Sequence, residues 1–382
     1  MINNSYKKNK VLITSYFYPP EQTPRAFRTH ELVKEFSKRG YMVDVCVPDI
    51  ACANEEKLKN CRYYYVESMK KGKLATVAET KGSNIKRYSK VLNYFKKALR
   101  YIVGGDPRAV RYYDKLYRIL MKNCNENYDL IISIGLPFYV HLATARFIIN
   151  TNQEGVKICD YGDPFYFNPS SKKLYFLKFL EKWAVNQFDF ISIPTGKSLN
   201  YYKFLKDKNS IKIIPQGFNY SNIRLAKYER NHTLKFCYAG IFYKAIRNPE
   251  YLFEFLASIE MDFQFVIYTR VNDTFFQEVY KKYKDKLGDK LLINDFISRE
   301  ELIMEMSKMD FLVNIENENS NQVPSKLIDY ALSGRPILSM SQKTFSEKIF
   351  IDFINGKYDD ALTVNTEDYD IENIVDEFEL LL

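Results

Sequence analysis

Residues 310–338 contain the side chains whose types and spacing best suit ligand chemistry. Ser325 and Lys326 place a hydroxyl and a cation at the predicted start of a helix, where Pro324 suits the first turn. Free backbone N–H groups at a helix start attract anions, and phosphate in particular. Asp329 falls one turn later on the same face, where a carboxylate can accept hydrogen bonds from a ribose diol. The pattern predicts a phosphate site.

An alternative explanation of these residues needs no ligand. Ser325 can cap the helix, Lys326 can be a solvated surface charge and Asp329 can balance that charge. Spacing alone does not choose between the two explanations. The wider order does favour a ligand, because residues 310–315 alternate as a strand, a polar loop follows and Gly334 ends the helix. The helix start then lies at the carboxyl end of a strand, where open α/β sheets bind ligands.

The elements that position these residues alternate between strand and helix along the chain. Residues 10–17, 24–38 and 42–47 indicate a strand, a helix and a strand, which form a βαβ unit and imply a parallel sheet. Further strands are expected at 130–134, 156–161, 190–194, 212–215, 234–239, 263–268, 291–295 and 311–315, and helices at 139–149, 172–188, 249–258, 273–286 and 299–308.

Two such series follow one another, so we predict two doubly wound α/β domains. The join is expected near residues 194–199, which gives domains of residues 1–195 and 196–365. Residues 366–382 are expected to form a closing helix that packs towards the first domain. The length of 382 residues agrees with two domains, because one hydrophobic core rarely grows beyond roughly 250–300 residues.

Cysteine usage and the amino terminus favour a cytoplasmic protein. The six Cys form no CxxC pair and do not cluster with the three His, so neither zinc nor a disulfide framework is indicated. The first ten residues lack the apolar stretch of a signal peptide. Residues 129–150 are apolar but contain Pro137, His141 and Arg146, so a strand and a helix explain them better than a membrane span does.

Positive charge is concentrated in one segment. Residues 62–122 contain 16 Lys and Arg against 4 Asp and Glu, a balance of +12, whereas the whole chain carries +9. Within this segment, residues 86–103 have the pattern of a basic amphipathic helix, which can lie on an anionic membrane. The alternative is a surface helix that buries its apolar stripe on its own domain. Contacts with nucleic-acid phosphates would also explain such charge.

Polar residues follow the predicted strands of the first domain. Arg25 and Arg28 lie at the start of the first helix, where arginine can bind phosphate or carboxylate bidentately. His141 can orient a hydroxyl or relay a proton, and Asp160 and Asp163 occupy a turn at a strand end. Each has an alternative: the arginines can be surface residues, the histidine a packed residue, and the aspartates caps of backbone N–H groups.

The second domain offers a matching set of cations. A strand runs into Gly240, where the backbone can approach a ligand closely, and Lys244 and Arg247 follow. Together with Ser325 and Lys326 they can neutralise a diphosphate, so no metal is expected. The first domain lacks the GxGxxG fingerprint of an NAD enzyme.

Six motifs occur in an order that is informative as a set. They are Tyr18-Pro19-Pro20, Ser133 to His141, Asp160 to Phe165, Gly240 with Arg247 seven residues on, Pro324 to Tyr330, and Ser333 to Pro336. In this order they resemble the GT-B glycosyltransferases, specifically the retaining family 4 type that builds bacterial surface polysaccharides. The resemblance spans nearly the whole chain.

The resemblance implies a GT-B fold, with two Rossmann-like doubly wound domains facing a central cleft. It implies a retaining, metal-independent hexosyltransferase without a cofactor, which moves a sugar from a nucleotide diphosphate sugar to a lipid-linked or oligosaccharide acceptor. Capsule, O-antigen, lipopolysaccharide and exopolysaccharide synthesis are the expected pathways. The enzyme would be cytoplasmic and peripheral at the anionic inner membrane surface, with no nucleic acid as partner.

The expected site residues follow from these motifs. The catalytic set is His141, Asp163, Arg247 and Lys326; the donor set is Gly240, Lys244, Asn321, Pro324, Ser325 and Asp329; and the acceptor set is Arg25, Arg28 and Asp160.

The chain departs from the family pattern at three places. Gln22-Thr23-Pro24 replaces a glycine pair, Ile241 replaces an arginine, and Asn321 stands where the first of two acidic residues is expected. Glu316, Glu318 or Asn321 would then contact the donor sugar. Two rival functions remain at this point. One is a nucleotide-sugar epimerase of the same fold, and the other is a basic nucleic-acid or membrane-binding protein without chemistry.

Overall fold

The computed structural model describes residues 9–21, 23–54, 58–67, 98–168, 172–221, 223–316 and 326–382. The chain divides into two compact units. The first comprises residues 1–218 and 371–382, and the second comprises residues 219–370.

The first unit is a parallel sheet covered by helices. Its elements are β1 (Lys10–Ser15), α1 (Pro24–Lys38), β2 (Met42–Pro48), β3 (Cys61–Val66), α2 (Arg108–Asn123), β4 (Leu130–Ile134), α3 (Tyr139–Thr151), β5 (Val156–Asp160), α4 (Phe176–Val185), β6 (Phe190–Ile193) and β7 (Ile211–Ile213). The central strands are largely buried, and β4, which reads LIISI, is buried at every residue. Such apolar runs are typical of parallel strands covered on both faces.

The sheet order of the first unit is β3-β2-β1-β4-β5-β6-β7. In the register, Ser15 lies opposite Ile134, and Ile134 lies opposite Asp160. Strands β1, β4 and β5 therefore end level with one another. The loops that follow them lie at one edge of the sheet, where the order reverses between β1 and β4.

The second unit has a smaller sheet of the same kind. Its elements are β8 (Leu234–Ala239), α5 (Glu250–Ser258), β9 (Phe263–Tyr268), α6 (Thr274–Leu287), β10 (Leu291–Asn294), α7 (Arg299–Ser307), β11 (Phe311–Ile315), α8 (Lys326–Leu332), β12 (Ile337–Met340) and α9 (Glu347–Ile354). All strand pairs are parallel, in the order β10-β9-β8-β11-β12. The predicted fold class, two doubly wound parallel α/β domains, is confirmed.

The last helix, α10 (Ile371–Glu379), belongs to the first unit. Its buried residues include Ile371, Ile374 and Phe378, and it packs against α1. Arg39, which follows α1, donates to Asp376 at 2.6 Å and pairs with Glu379 at the same distance. The chain thus returns to its first unit at its carboxyl end.

Two elements differ from the sequence prediction. Strand β7 was placed at the start of the second domain, but Ile211–Ile213 pair with β6 and extend the first sheet. A three-residue strand in a connecting segment has too little periodicity to show which sheet it joins. Residues 62–122 were treated as one basic segment, yet their two ends form β3 and α2, and α2 buries Tyr112, Leu116 and Leu120. The predicted helix at 86–103 lies largely outside the described residues.

No helix among the described residues is long and apolar enough to span a bilayer.

Candidate functional site

The second sheet has a topological switch point between β8 and β11. The chain leaves β8 towards β9 on one side and leaves β11 towards β12 on the other. Loops on either side of such a point diverge and leave a crevice at the carboxyl edge of the sheet, where α/β proteins bind ligands. Gly240 directly follows β8, and α8 begins after β11. The predicted donor residues of this unit that the structure describes come from these two connections.

Gly240 has a backbone conformation that glycine alone adopts readily, with φ at +144°. A Cβ atom built there would lie 3.2 Å from the Tyr238 hydroxyl and 3.6 Å from Nη1 of Arg247. Because Gly240 has no side chain, the Arg247 guanidinium can lie close to the end of β8.

Arg247 is positioned by its own loop. Its backbone N–H donates to the carbonyl of Tyr243 at 2.9 Å, and its Nη1 donates to the carbonyl of Ile241 at 3.1 Å. These bonds fold the loop back so that the arginine returns to the end of β8. Ile241, which stands where the resemblance predicts arginine, contributes its backbone carbonyl to this arrangement.

Lys326, the first residue of α8, has a buried Nζ atom that finds no hydrogen-bond partner among the described residues. The Nζ atom lies 4.7 Å from the ring centroid of Tyr238 and 5.8 Å from that of Tyr330. Burial lowers the pKa of the Lys326 amine well below its usual value, and the nearby charge of Arg247 lowers it further. Two cations thus share one site. An anionic ligand bound there would offset both the burial of the amine and its repulsion by Arg247.

Tyr330 fixes α8 against the end of β8. Its hydroxyl accepts the backbone N–H of Ala239 at 2.7 Å and lies 3.2 Å from the Ala239 carbonyl. Sequence analysis missed this tyrosine and Tyr238 as site residues, because an aromatic in a buried helix or strand carries no signal beyond core packing.

Lys244 belongs to a small neighbouring cavity of about 110 Å³. The cavity is lined by Lys244, Ala245, Ile246, Arg247, Asn248, Ile315, Glu316 and Gln342. Glu316, which sequence analysis offered for the donor sugar, therefore shares a cavity with two of the predicted cations.

Asp329 already has a cationic partner. Nε of Arg299 donates to its carboxylate at 2.7 Å, and both side chains are mostly buried. Burial raises the pKa of the Asp329 carboxyl, although Arg299 opposes that shift. Sequence analysis did not identify Arg299, which comes from the start of α7. The ribose contact of Asp329 stays a prediction, as do the donor contacts of Asn321, Pro324 and Ser325, which lie outside the described residues.

In the first unit, Asp160 gathers the predicted arginines. Its carboxylate pairs with Arg25 at 2.9 Å and with Arg28 at 2.9 Å, and it accepts the Ser192 hydroxyl at 2.7 Å. Burial alone would raise the pKa of Asp160, but the two guanidiniums outweigh it and hold the pKa below its usual value. The structure thus brings together all three residues of the predicted acceptor set.

Arg28 and Arg25 differ in exposure and in further contacts. Arg28 is fully buried, donates to the carbonyls of Ile214 and Pro215, and stacks over the ring of Phe378. It therefore ties α1 to the segment after β7 and to α10. Arg25 retains some exposure, with 14% of its side chain accessible, and is the arginine of the pair that can reach a ligand.

Asp163 is exposed in the turn after β5, next to Gly162. A Cβ atom at Gly162 would lie 2.6 Å from Nε of Arg25, so the glycine is needed for the arginine to cross this turn. Asp163 also contributes to the electrostatic field at Arg25. Its predicted catalytic role stays a prediction.

His141 is fully buried at the start of α3. Its Nδ1 lies 2.9 Å from the Ser133 hydroxyl, its ring packs on Tyr161 at 4.5 Å, and a Cβ atom at Gly135 would lie 2.3 Å from Nε2. Burial lowers the pKa of His141 to about 3. The imidazole is therefore neutral near pH 7, and we expect it to orient its surroundings more readily than to relay a proton. Its catalytic role stays a prediction.

The same edge of the first sheet carries an apolar cavity of about 270 Å³ that sequence analysis missed. It is lined by Tyr16, Phe17, Gly104, Gly105, Asp106, Ala109, Leu136, Pro137, Phe138, Tyr139, Pro164, Phe165, Asn168 and Lys173. The aromatic residues that directly follow β1 and β5, and those just before α3, were a signal that could have indicated it. Aromatic faces of this kind bind apolar groups and sugar rings.

Within the described residues, no group of three or more His, Cys, Asp or Glu side chains is arranged to hold a metal ion. The predicted independence from metal stays a prediction.

No protein-family model matches the sequence, and no curated protein matches it. Solved structures do match it over almost its whole length. The lipopolysaccharide outer core galactosyltransferase WaaB is 12% identical with a TM-score of 0.55, covering 97% of this chain and 95% of its own. Anabaena HepE, solved with UDP and glucose, is 10% identical with a TM-score of 0.57, and the match covers 97% of this chain and 98% of HepE. A glycosyltransferase from Rickettsia africae is 10% identical with a TM-score of 0.65, covering 98% of each chain.

At such low identity, the likeness establishes the fold. The seven-stranded and five-stranded parallel sheets match those of GT-B glycosyltransferase structures, so the predicted GT-B fold is confirmed. Membership of family 4 and retention of configuration stay predictions.

Proposed function

We propose that the chain is a glycosyltransferase that moves a hexose from a nucleotide diphosphate sugar, bound in the second unit, to an acceptor bound in the first. One observation carries the proposal: the buried Lys326 amine has no hydrogen-bond partner among the described residues and lies near Arg247 at the switch point of the second sheet. The match to HepE, which has been solved with UDP and UDP-glucose, supports this class of donor.

The chemistry follows from charge. Cleavage of the bond between the anomeric carbon and the diphosphate leaves additional negative charge on the leaving phosphate. Positive groups fixed at that position before the reaction stabilise the charge as it develops, without reorganisation at the moment of reaction. Lys326 and Arg247 are such groups, because packing against Tyr238 and the turns of the loop hold them in place. A bound diphosphate also raises the pKa of the lysine and keeps it charged.

The acceptor is proposed to bind at the carboxyl edge of the first sheet. The 270 Å³ cavity supplies aromatic faces, and Arg25 supplies a cation close to Asp163. This combination suits a saccharide joined to a lipid through phosphate. The proposed site of action is accordingly the cytoplasmic face of the inner membrane. We also propose that the reaction retains the configuration of the anomeric carbon and needs no metal. The proposed pathway is capsule, O-antigen or exopolysaccharide synthesis.

The test begins with donors. Purified protein is mixed with UDP-, GDP- and CMP-sugars and the free nucleotides, with and without a chelator, and thermal stability is measured because a ligand of the folded state raises it. One nucleotide family is expected to raise the melting temperature. Lys326→Ala and Arg247→Ala should reduce that shift, whereas Lys284→Ala, at an exposed lysine on α6, should not.

Three results would contradict the proposal or a part of it. Undiminished nucleotide binding in both site variants would remove the diphosphate assignment. Conversion of a donor into its epimer without any acceptor would identify the chain as an epimerase of the same fold. Activity that disappears with the chelator and returns with a divalent cation would refute the metal-independent reaction.

A further inference from the structure

Helix α4 presents aromatic side chains to solvent. Tyr175, which directly precedes the helix, is 66% exposed, and Phe176, Phe179 and Trp183 are 51%, 58% and 45% exposed. Tyr175, Phe179 and Trp183 are four residues apart, so they lie in one row along the helix. We call these four residues, with the lysines described next, the aromatic face.

The opposite side of α4 is already used by the fold. Leu177, Ala184 and Val185 are buried there, and the helix packs against α3. A surface helix of a globular protein normally turns charged residues outward from such a stripe. Here the outward side carries exposed aromatic rings, and contiguous exposed apolar patches mark interaction surfaces.

The charge of the aromatic face is positive. Lys182 on α4 and Lys172 just before the helix are the exposed lysines of this face, whereas Lys178 is half-buried and lies over the rings of Phe167 and Phe204. The acidic residue of α4, Glu181, is buried on the other side, where it accepts the Tyr161 hydroxyl and the backbone N–H of Tyr166. The outward surface of the helix therefore combines aromatic rings with cations and no exposed carboxylate.

A neighbouring helical turn, which meets α4 on the side of the buried Leu177, also exposes apolar side chains. A Cβ atom at Gly104 would lie 2.8 Å from Leu177, so the helical residues 98–103 end beside the start of α4. Leu99, Tyr101 and Ile102 in this turn are each about half exposed. Gly104 also lines the apolar cavity proposed for the acceptor.

We propose that the aromatic face docks the protein on an anionic lipid bilayer. Tyr and Trp concentrate at the level of lipid headgroups, where their rings are partly buried and their polar atoms stay wet, and lysines beside them pair with anionic lipids. A second copy of the chain fits less well, because a two-fold contact would bring the same lysines face to face. This assignment builds on the lipid-linked acceptor proposed above, but its test needs no sugar.

Trp183 makes the test direct, because it is the one tryptophan in the sequence. Its fluorescence is recorded as vesicles are added, either of phosphatidylcholine alone or of one part phosphatidylglycerol to two parts phosphatidylcholine. With the anionic vesicles, emission should shift to shorter wavelength and be quenched by brominated acyl chains. Emission that stays unchanged with anionic vesicles would overturn the proposal.

Matched variants then locate the surface. Phe176→Ser should weaken vesicle binding about tenfold through the lost burial of its ring, whereas Phe296→Ser, equally exposed at 51% in the second unit, should not. The double variant Lys172→Ala/Lys182→Ala should bind about twenty- to thirtyfold more weakly, and Lys281→Ala/Lys284→Ala on α6 is its control. Circular dichroism and the melting temperature check that each variant folds.

Equal weakening by the variants and their controls would show general charge attraction and refute a dedicated surface. Self-association of the wild type that Phe176→Ser abolishes, with no vesicle binding, would assign the face to a second copy of the chain. The nucleotide-induced thermal shift should persist in these variants. Its persistence would show that the donor assignment holds even if the membrane proposal fails.

Discussion

Replacing Lys326 by methionine should make the protein more stable and less able to bind its donor. Methionine keeps the length of the side chain, and its thioether suits contact with the rings of Tyr238 and Tyr330, which lie near the present amine. The amine is buried without a hydrogen bond among the described residues. Removing such a group should stabilise the unliganded fold by about 1–3 kcal/mol.

The same change should weaken nucleotide binding. A hydrogen bond to a charged group contributes about 1.5–3 kcal/mol, which corresponds to an affinity loss of about ten- to hundredfold. Calorimetric titration with the preferred nucleotide measures this loss. A variant that is more stable but binds nucleotide more weakly would show that Lys326 serves the ligand. A residue that serves packing alone would not give this combination.

The effect on stability should depend on pH in a defined direction. Because the folded protein lowers the pKa of the Lys326 amine below the ordinary value of 10.5, the unfolded chain binds more protons between those two values, and wild-type stability rises with pH there. Methionine does not titrate. The advantage of Lys326→Met is therefore largest at low pH and shrinks as the pH approaches 10.5.

Unfolding transitions of the wild type, Lys326→Met and Lys284→Met, measured across this pH range, test the reasoning. Lys284→Met, at an exposed position, should follow the wild type. A Lys326→Met protein that is less stable than the wild type at every pH would refute the account of a buried, unpaired amine.

Three further substitutions give separate outcomes. Asp160→Asn leaves the buried Arg28 guanidinium without its counter-charge, and a loss of about 3–5 kcal/mol is expected in urea unfolding. His141→Gln should lose less stability than the wild type as the pH falls from 6.5 to about 3, because the wild-type imidazole takes up its proton only on unfolding there; melting temperatures report this. Arg299→Met leaves Asp329 unpaired and should cost about 1–3 kcal/mol, measured by the same urea unfolding.

The sequence was sufficient for most of the architecture, because each central strand is a short apolar run bounded by turn residues. Residues 24–38, 130–134, 234–239, 263–268 and 311–315 form the predicted elements with the predicted bounds. Burial on both faces makes such strands apolar throughout, and the intervening helices have their own period. The short strand β7 and the edge strand β3 were misassigned or missed because neither has that signature.

Pairing between distant residues could not be read from the sequence. The contacts of Asp160 with Arg25 and Arg28 span more than 130 positions, and they exist because β5 ends level with β1 in the sheet. Spacing marked these three residues individually, whereas the register of the sheet decided that they meet. Arg299 and Asp329 are a second case, since neither sequence neighbourhood points to the other.

Of the buried polar atoms without a hydrogen-bond partner among the described residues, two nitrogen atoms lie at the switch points of the sheets. Nζ of Lys326 and Nε2 of His141 are both shielded from water, and neither has a hydrogen-bond partner among the described residues. Buried polar groups are nearly always paired, so an exception calls for a ligand or a special role. Lys326 lies at the switch point of the second sheet, and His141 follows β4 at the switch point of the first. A contact of Lys326 or of His141 with substrate would explain these two unpaired atoms, and it stays a prediction.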